Sequence, residues 1–237
     1  MPSPTDNLTV YVTGACPYTC PECNQAEYRA SHADYFMPLD EIDELIERTR
    51  ALGHCWRRVL WAGGEPLLWP HLEEGTVRLK ESGVAAEVHL ITAGPDPVRL
   101  DAAFELFDKV RVSLHPTNRA HVEEIRRRRP DVPINDVPHR PLPRRFDLST
   151  IPAPACWAAA LALVDRRVYW CSNCWPIMRR FGLEEAAYPE LSRSIDDDFL
   201  DHFRRLGPCR HEHLICSACV ANPNYWARAS KDMEQPT

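Results

Sequence analysis

The chain has 237 residues, enough for one substantial core and a small appendage, and its 44% hydrophobic and 26% charged residues are ordinary for a globular protein. A net charge of −6 and a pI near 5.9 argue against nucleic acid as a partner, which asks for a basic face. No run of about eighteen apolar residues appears, so no membrane helix is expected, and Met1-Pro-Ser-Pro-Thr-Asp6 lacks the pattern of a signal peptide. Ten cysteines in a chain read as cytoplasmic point to metal or cluster chemistry rather than disulfides.

In chain order, Leu8 to Gly14 alternates and is rich in β-branched residues, which predicts a strand. Directly after it stands Cys16-Pro-Tyr-Thr-Cys20-Pro-Glu-Cys23, three cysteines spaced C-x3-C-x2-C. Such a loop aims three thiolates at one point, one fewer than closes a structural zinc site or saturates a four-iron cluster. That leaves an open coordination position, the mark of a reactive site; a zinc clip is the plainer alternative.

The clearest helix runs from Pro38 to Leu52, with Leu39, Ile42, Leu45, Ile46 and Leu52 on one face and Gly53 as a stop. Arg58 to Ala62 predicts a strand ended by Gly63-Gly64-Glu65-Pro66, His71 to Ser82 a helix, and Glu87 to Thr92 a strand. Leu100 to Phe107 reads as helix, Lys109 to His115 as strand, and Asn118 to Arg128 as helix, its Arg126–Arg129 run suiting a helix C-terminus. Strand and helix alternating in this way predict an α/β fold with a parallel sheet and crossover helices.

After Pro130 the rhythm fails, because seven prolines between 130 and 154 exclude long helices. Residues 132–137 and 145–149 are candidate fifth and sixth strands. Cys156 to Cys171 reads as a β-hairpin with Asp165-Arg166 near its turn, and Asp196 to Leu206 as a helix with Phe199, Leu200 and Phe203 on one face. Cys216-Ser-Ala-Cys219 follows; paired with Cys171-x2-Cys174 it is also a zinc-type arrangement. Cys55, beside Trp56, is expected to pack, and His211 and His213 to lie in a solvated loop.

The cysteine loop after the first strand and the Gly-Gly-Glu-Pro run after the second together resemble the radical SAM (S-adenosylmethionine) enzymes. The resemblance implies a partial (β/α)6 TIM-type barrel at residues 1–152. It implies a [4Fe–4S] cluster on Cys16, Cys20 and Cys23 whose open iron binds SAM, and reductive cleavage to a 5′-deoxyadenosyl radical that abstracts a substrate hydrogen. Tyr18, Gly63, Gly64, Glu65, Pro66, Thr92 and Ser113 then fall where the family contacts SAM, their plainer reading being strand-end and turn residues. Glu22 stands where the family usually has an aromatic. Residues 153–237 resemble the twitch form of the SPASM extension, which implies a second, auxiliary [4Fe–4S] cluster on Cys156, Cys171, Cys216 and Cys219. Cys174 and Cys209 are then left as a substitute ligand or a catalytic hydrogen donor.

Among such enzymes the chain most resembles the 2-deoxy-scyllo-inosamine dehydrogenases, which implies dehydrogenation of a small polar sugar or aminocyclitol alcohol in natural-product biosynthesis. Flavodoxin or ferredoxin is the implied electron donor. Epimerisation and peptide modification are the alternatives within the enzyme class, and a zinc-clipped binding protein is the one outside it.

Overall fold

The computed structural model describes residues 4–20, 23, 25–136, 160–180, 182 and 188–206. Five parallel strands follow the order of the chain: β1 (Asn7–Thr13), β2 (Arg58–Gly63), β3 (Val88–Thr92), β4 (Lys109–Leu114) and β5 (Ile134–Asp136). Between them run α1 (Ala26–Ser31), α2 (Leu39–Ala51), α3 (Leu72–Ser82), α4 (Pro97–Leu106) and α5 (Arg119–Arg128). This is the parallel-sheet α/β architecture of a partial TIM-type barrel. The expected strand at 145–149 lies outside the described residues.

On its other edge β1 pairs with β6 (Leu161–Val164), also parallel, and β6 returns as β7 (Arg167–Tyr169). The hairpin expected around Asp165-Arg166 is present, and both residues take left-handed backbone (φ 48° and 59°), as a two-residue turn of this hand requires. The hairpin is not set apart from the barrel: it extends one sheet, whose order is β5-β4-β3-β2-β1-β6-β7-β8, with β8 at Ser192–Ser194. Neither β8 nor α6 (Cys174–Arg180) shows a clear period in the sequence. Helix α7 (Phe199–Leu206) buries Phe199, Leu200 and Phe203 as its pattern predicts.

Buried indoles pin the helix layer to the sheet. Trp61 of β2 donates to Thr76 Oγ1 of α3 (2.8 Å), Trp56 donates to Thr49 Oγ1 of α2 (3.2 Å), and Trp69 donates to the Met37 carbonyl (2.7 Å). Because Trp61 faces the helices, strand alternation puts Arg58, Leu60 and Ala62 on the opposite, inner face of the barrel. The register carries this across the sheet: Tyr11 lies opposite Ala62, Leu60 opposite His89, and Ile91 opposite Arg111.

Two expectations are corrected. Helix α4 begins at Pro97 rather than Leu100, because Asp96 caps it by accepting from Val98 N (2.9 Å) and Arg99 N (3.1 Å). Cys55 is exposed, not packed, since Trp56 next to it takes the buried position.

Candidate functional site

The C-terminal ends of the parallel strands gather Cys16, Cys20, Gly63 to Pro66, Thr92 and Ser113, as they do functional residues in barrels generally. The Cys16–Cys23 loop leaves β1 and crosses this mouth, bringing Cys20 Sγ to 3.5 Å from Thr117 Oγ1 beyond β4. All three thiols are half-buried. Arg29 of α1 folds back on the loop and donates to the Tyr18 carbonyl. Burial opposes its charge, but a hydrogen bond to Cys23 and the nearby Cys16 and Cys20 outweigh it and push the guanidinium up. Burial pushes the Cys16 thiol up as well, against the pull of a backbone N–H and of Arg29. Tyr18 sits in the same loop, its phenol held up by burial and by the Glu65 carboxylate.

The glycines of Gly63-Gly64-Glu65-Pro66 brace the base of this loop. Gly63 has φ +133°, a conformation favouring glycine, and a Cβ there would meet the Thr13 carbonyl oxygen at 2.3 Å. A Cβ on Gly64 would meet the carbonyl oxygens of Ala15 at 2.3 Å and Gly14 at 2.5 Å. This closeness lets Gly64 N donate to Thr13 O (2.6 Å) and Glu65 N donate to Ala15 O (2.7 Å).

Glu65 is 1% exposed, so its carboxylate is turned into the protein. One oxygen accepts from Leu67 N (3.0 Å) and Thr92 Oγ1 (2.5 Å), the other from Ala93 N (2.7 Å). Burial pushes this carboxyl up while the three donors pull it down. Pro66, also buried, starts the short 3-10 turn that Glu65 caps. Thr92 is thus a strap between β2 and β3, and it also accepts from Gly94 N (2.9 Å). Ser113 is nearly buried at the end of β4. Asn118 joins the neighbouring ends, donating to Ala93 O (3.1 Å) and Ser113 O (2.9 Å).

A second cysteine pair is tied to this loop. Cys171 and the buried Cys174 bring their sulfurs to 3.6 Å. Tyr11, on the inner face of β1, accepts from Gln25 Nε2 just past Cys23 and donates to the Ser172 carbonyl between the pair, each at 2.8 Å. Burial pushes its phenol far up, with Cys171, Cys23 and Cys174 adding to the effect. Tyr28 of α1 packs edge-on against both Tyr11 and Trp175 of α6, with ring centroids 5.1 and 5.5 Å apart. His32, at the end of α1, pairs with Asp165 in the hairpin turn (2.6 Å).

Tyr11, Gln25, Arg29 and Asn118 carry no sequence signal: they are ordinary strand, helix and turn residues until the fold closes. Cys156, Cys209, Cys216 and Cys219 lie outside the described residues. Among the described residues no three His, Cys, Asp or Glu side chains form a metal-holding group.

The family model of the radical SAM superfamily matches residues 10–134, more than half of the chain. The chain belongs to the radical SAM superfamily. Membership implies a [4Fe–4S] cluster and SAM, and the donor set fits in its chemistry: three half-buried thiols on one loop share the field of Arg29, although the three sulfurs do not converge on one point as the spacing predicts. A crystal structure of BtrN in complex with AdoMet and 2-DOIA is similar, with a TM-score of 0.61 at 18% identity over 98% of this chain and 92% of that one. BtrN in an open conformation gives a TM-score of 0.56 at 20% identity, with 90% of each chain covered. At these identities the likeness speaks for the fold, and it runs through the β6–β7 hairpin as well as the barrel. No protein of curated function matches the sequence significantly.

Proposed function

We propose that this radical SAM enzyme is an oxidoreductase that dehydrogenates the alcohol of a small polar molecule of the sugar or cyclitol kind. The observation that carries the reading is the BtrN-like fold over 98% of the chain, extension included, in a chain that keeps the cysteine loop. Cys16, Cys20 and Cys23 would hold the SAM-binding cluster; Cys171 with Cys156, Cys216 and Cys219 would hold an auxiliary one, Cys174 or Cys209 serving as substitute ligand. When bound, the first cluster and SAM supply hydrogen-atom abstraction, and the second supplies a one-electron acceptor. The protein's own part is positional. Gly63 and Gly64 hold the loop against β1, Glu65 and Thr92 lock β2 to β3, and Arg29 offsets thiolate charge beside the loop. Tyr18 and Ser113 border the mouth in which SAM would lie. We place the enzyme in the cytoplasm with flavodoxin or ferredoxin as reductant; among the described residues no helix is long and apolar enough to cross a membrane.

A second reading has an observation of its own. Two thiolates on one tetrahedral ion, with bonds of about 2.3 Å, stand roughly 3.8 Å apart, and Cys171 and Cys174 stand 3.6 Å apart. This favours a mononuclear zinc site on the paired C-x2-C groups. Without an electron acceptor the reaction would then be redox-neutral, as in epimerisation.

Iron, sulfide and zinc analysis after anaerobic reconstitution tests both, with the Cys16→Ala/Cys20→Ala/Cys23→Ala variant alongside. About eight irons per chain, falling to about four in the variant, support the dehydrogenase. About four irons, all lost in the variant, with one zinc retained, support the second reading. Reduced wild-type protein that fails to cleave SAM overturns both.

A further inference from the structure

Arg29 of α1 holds a hydrogen-bond donor that the folded chain leaves unused. Its Nη2 donates to the carbonyl of Tyr18, midway between Cys16 and Cys20, so the guanidinium lies against the cysteine loop. Its Nε–H is buried and meets no acceptor among the described residues. No carboxylate among them forms an ion pair with Arg29 either. The helix that presents it is held from the other side. Tyr28, one residue earlier, donates to the Tyr11 carbonyl (3.2 Å) and packs edge-on against Tyr11 and Trp175. Ala26 N donates to Cys23 O (3.2 Å), joining helix and loop through one turn. The core therefore fixes Arg29 beside the loop, independently of anything bound there.

A buried N–H on a charged group is costly without an acceptor, and native chains rarely keep one. The acceptors within this loop's gift are sulfurs: the thiolates of Cys16, Cys20 and Cys23 and the sulfides of the cluster they would hold. The hydrogen bond to Cys23 that helps push the guanidinium up agrees with this direction. An iron–sulfur cluster gains negative charge when it takes an electron. N–H···S bonds and a fixed positive charge therefore favour the reduced form and raise the potential. Arginine suits the task because its planar fork can serve a carbonyl and a sulfur at once, which a lysine ammonium matches only as a point charge.

We propose that Arg29 sets the reduction potential of the SAM-binding cluster, its Nε–H donating to a sulfur of the loop or cluster while Nη2 holds the Tyr18 carbonyl. The residue eases the one-electron reduction that must precede SAM cleavage. This rests on the reading of Cys16, Cys20 and Cys23 as the cluster's ligands, and adds a residue that the C-x3-C-x2-C spacing does not mark.

The test is a potentiometric titration of the reconstituted protein without SAM, the reduced fraction being read by electron paramagnetic resonance. The Cys16→Ala/Cys20→Ala/Cys23→Ala variant identifies which signal belongs to the first cluster. At the potential that half-reduces this cluster in wild type, we expect Arg29→Gln to lower the ratio of reduced to oxidised cluster roughly tenfold, a midpoint about 59 mV more negative. Arg29→Lys should fall between the two. Arg78→Gln, which removes a cation paired with Asp43 and Glu74 on the outer helices, should titrate like wild type. Iron and sulfide analysis checks that each variant is loaded. An unshifted midpoint in loaded Arg29→Gln, a wild-type midpoint in Arg29→Lys, or an equal shift in Arg78→Gln each overturns the proposal. So does failure of both Arg29 variants to take up iron, which makes the residue a brace of the loop. A wild-type chain that takes up no iron overturns the cluster reading and the proposal with it, whereas a loaded wild type with unshifted variants overturns the proposal alone.

Discussion

Gly64→Ala isolates the brace under the cysteine loop. The backbone at Gly64 is not in the left-handed region, so the substitution tests contact alone. The new methyl would stand 2.3 and 2.5 Å from two carbonyl oxygens where ordinary contact begins at 3.4 Å, so backbone must part by about 1 Å. Those oxygens belong to Gly14 and Ala15, the residues leading into Cys16. The shift breaks or stretches two backbone hydrogen bonds, Gly64 N to Thr13 O and Glu65 N to Ala15 O, each worth about 1 kcal/mol. Overpacking strain adds about 1–3 kcal/mol, so we expect a loss of about 3–5 kcal/mol. At about 2–4 °C per kcal/mol the melting temperature drops by about 6–20 °C. Iron uptake should fall with it, because the displaced residues set the position of Cys16. Gly83→Ala is the control: its φ is +72° with nothing within 4 Å, so it pays only the left-handed penalty of about 1–2 kcal/mol. Thermal melts and iron analysis after reconstitution read both. If Gly64→Ala melts with Gly83→Ala and loads iron normally, the glycine is not a brace and the contact argument is wrong.

Three further outcomes are expected. Glu65→Gln turns an amide N–H₂ toward one of three buried donors and should cost about 1–3 kcal/mol in a melt, with Thr92→Val giving a non-additive double variant; additive losses would deny the strap. Tyr11→Phe leaves Gln25 and the Ser172 carbonyl without their shared partner and should cost about 1–2 kcal/mol, while mass-spectrometric hydrogen exchange rises in both α1 and α6; exchange confined to one of them refutes the bridge. His89 is held below its ordinary value by burial and by Arg58 and Arg111, against the pull of Glu87. The unfolded chain therefore takes up this proton first, so the stability involved is complete above about pH 6.5 and drains as pH falls through the lowered value. The melting temperature of His89→Gln should fall less between pH 7 and 5 than that of wild type, and parallel curves would refute the assignment.

The sequence by itself determined the parts whose signals are local. β1 through β4 and α2, α3 and α5 follow from apolar period and punctuation, the hairpin turn from its position between two apolar runs, and the cysteine loop from spacing alone. The tertiary structure decided what those parts do to one another. Glu65 reads as a cofactor contact in the sequence, and the fold adds that its carboxylate accepts from Thr92, Ala93 and Leu67, because only closure of the sheet brings the ends of β2 and β3 together. The hairpin reads as part of an appendage, and the fold seats β6 against β1, since an open sheet edge of buried apolar residues needs a partner. Tyr11 reads as one residue of a strand, and only the approach of α1 to α6 makes it the hydroxyl between two cysteine groups more than a hundred and forty residues apart in the chain. Spacing along the chain is a local property, whereas hydrogen-bond partners across a barrel are chosen by packing, and packing is decided by the whole core at once.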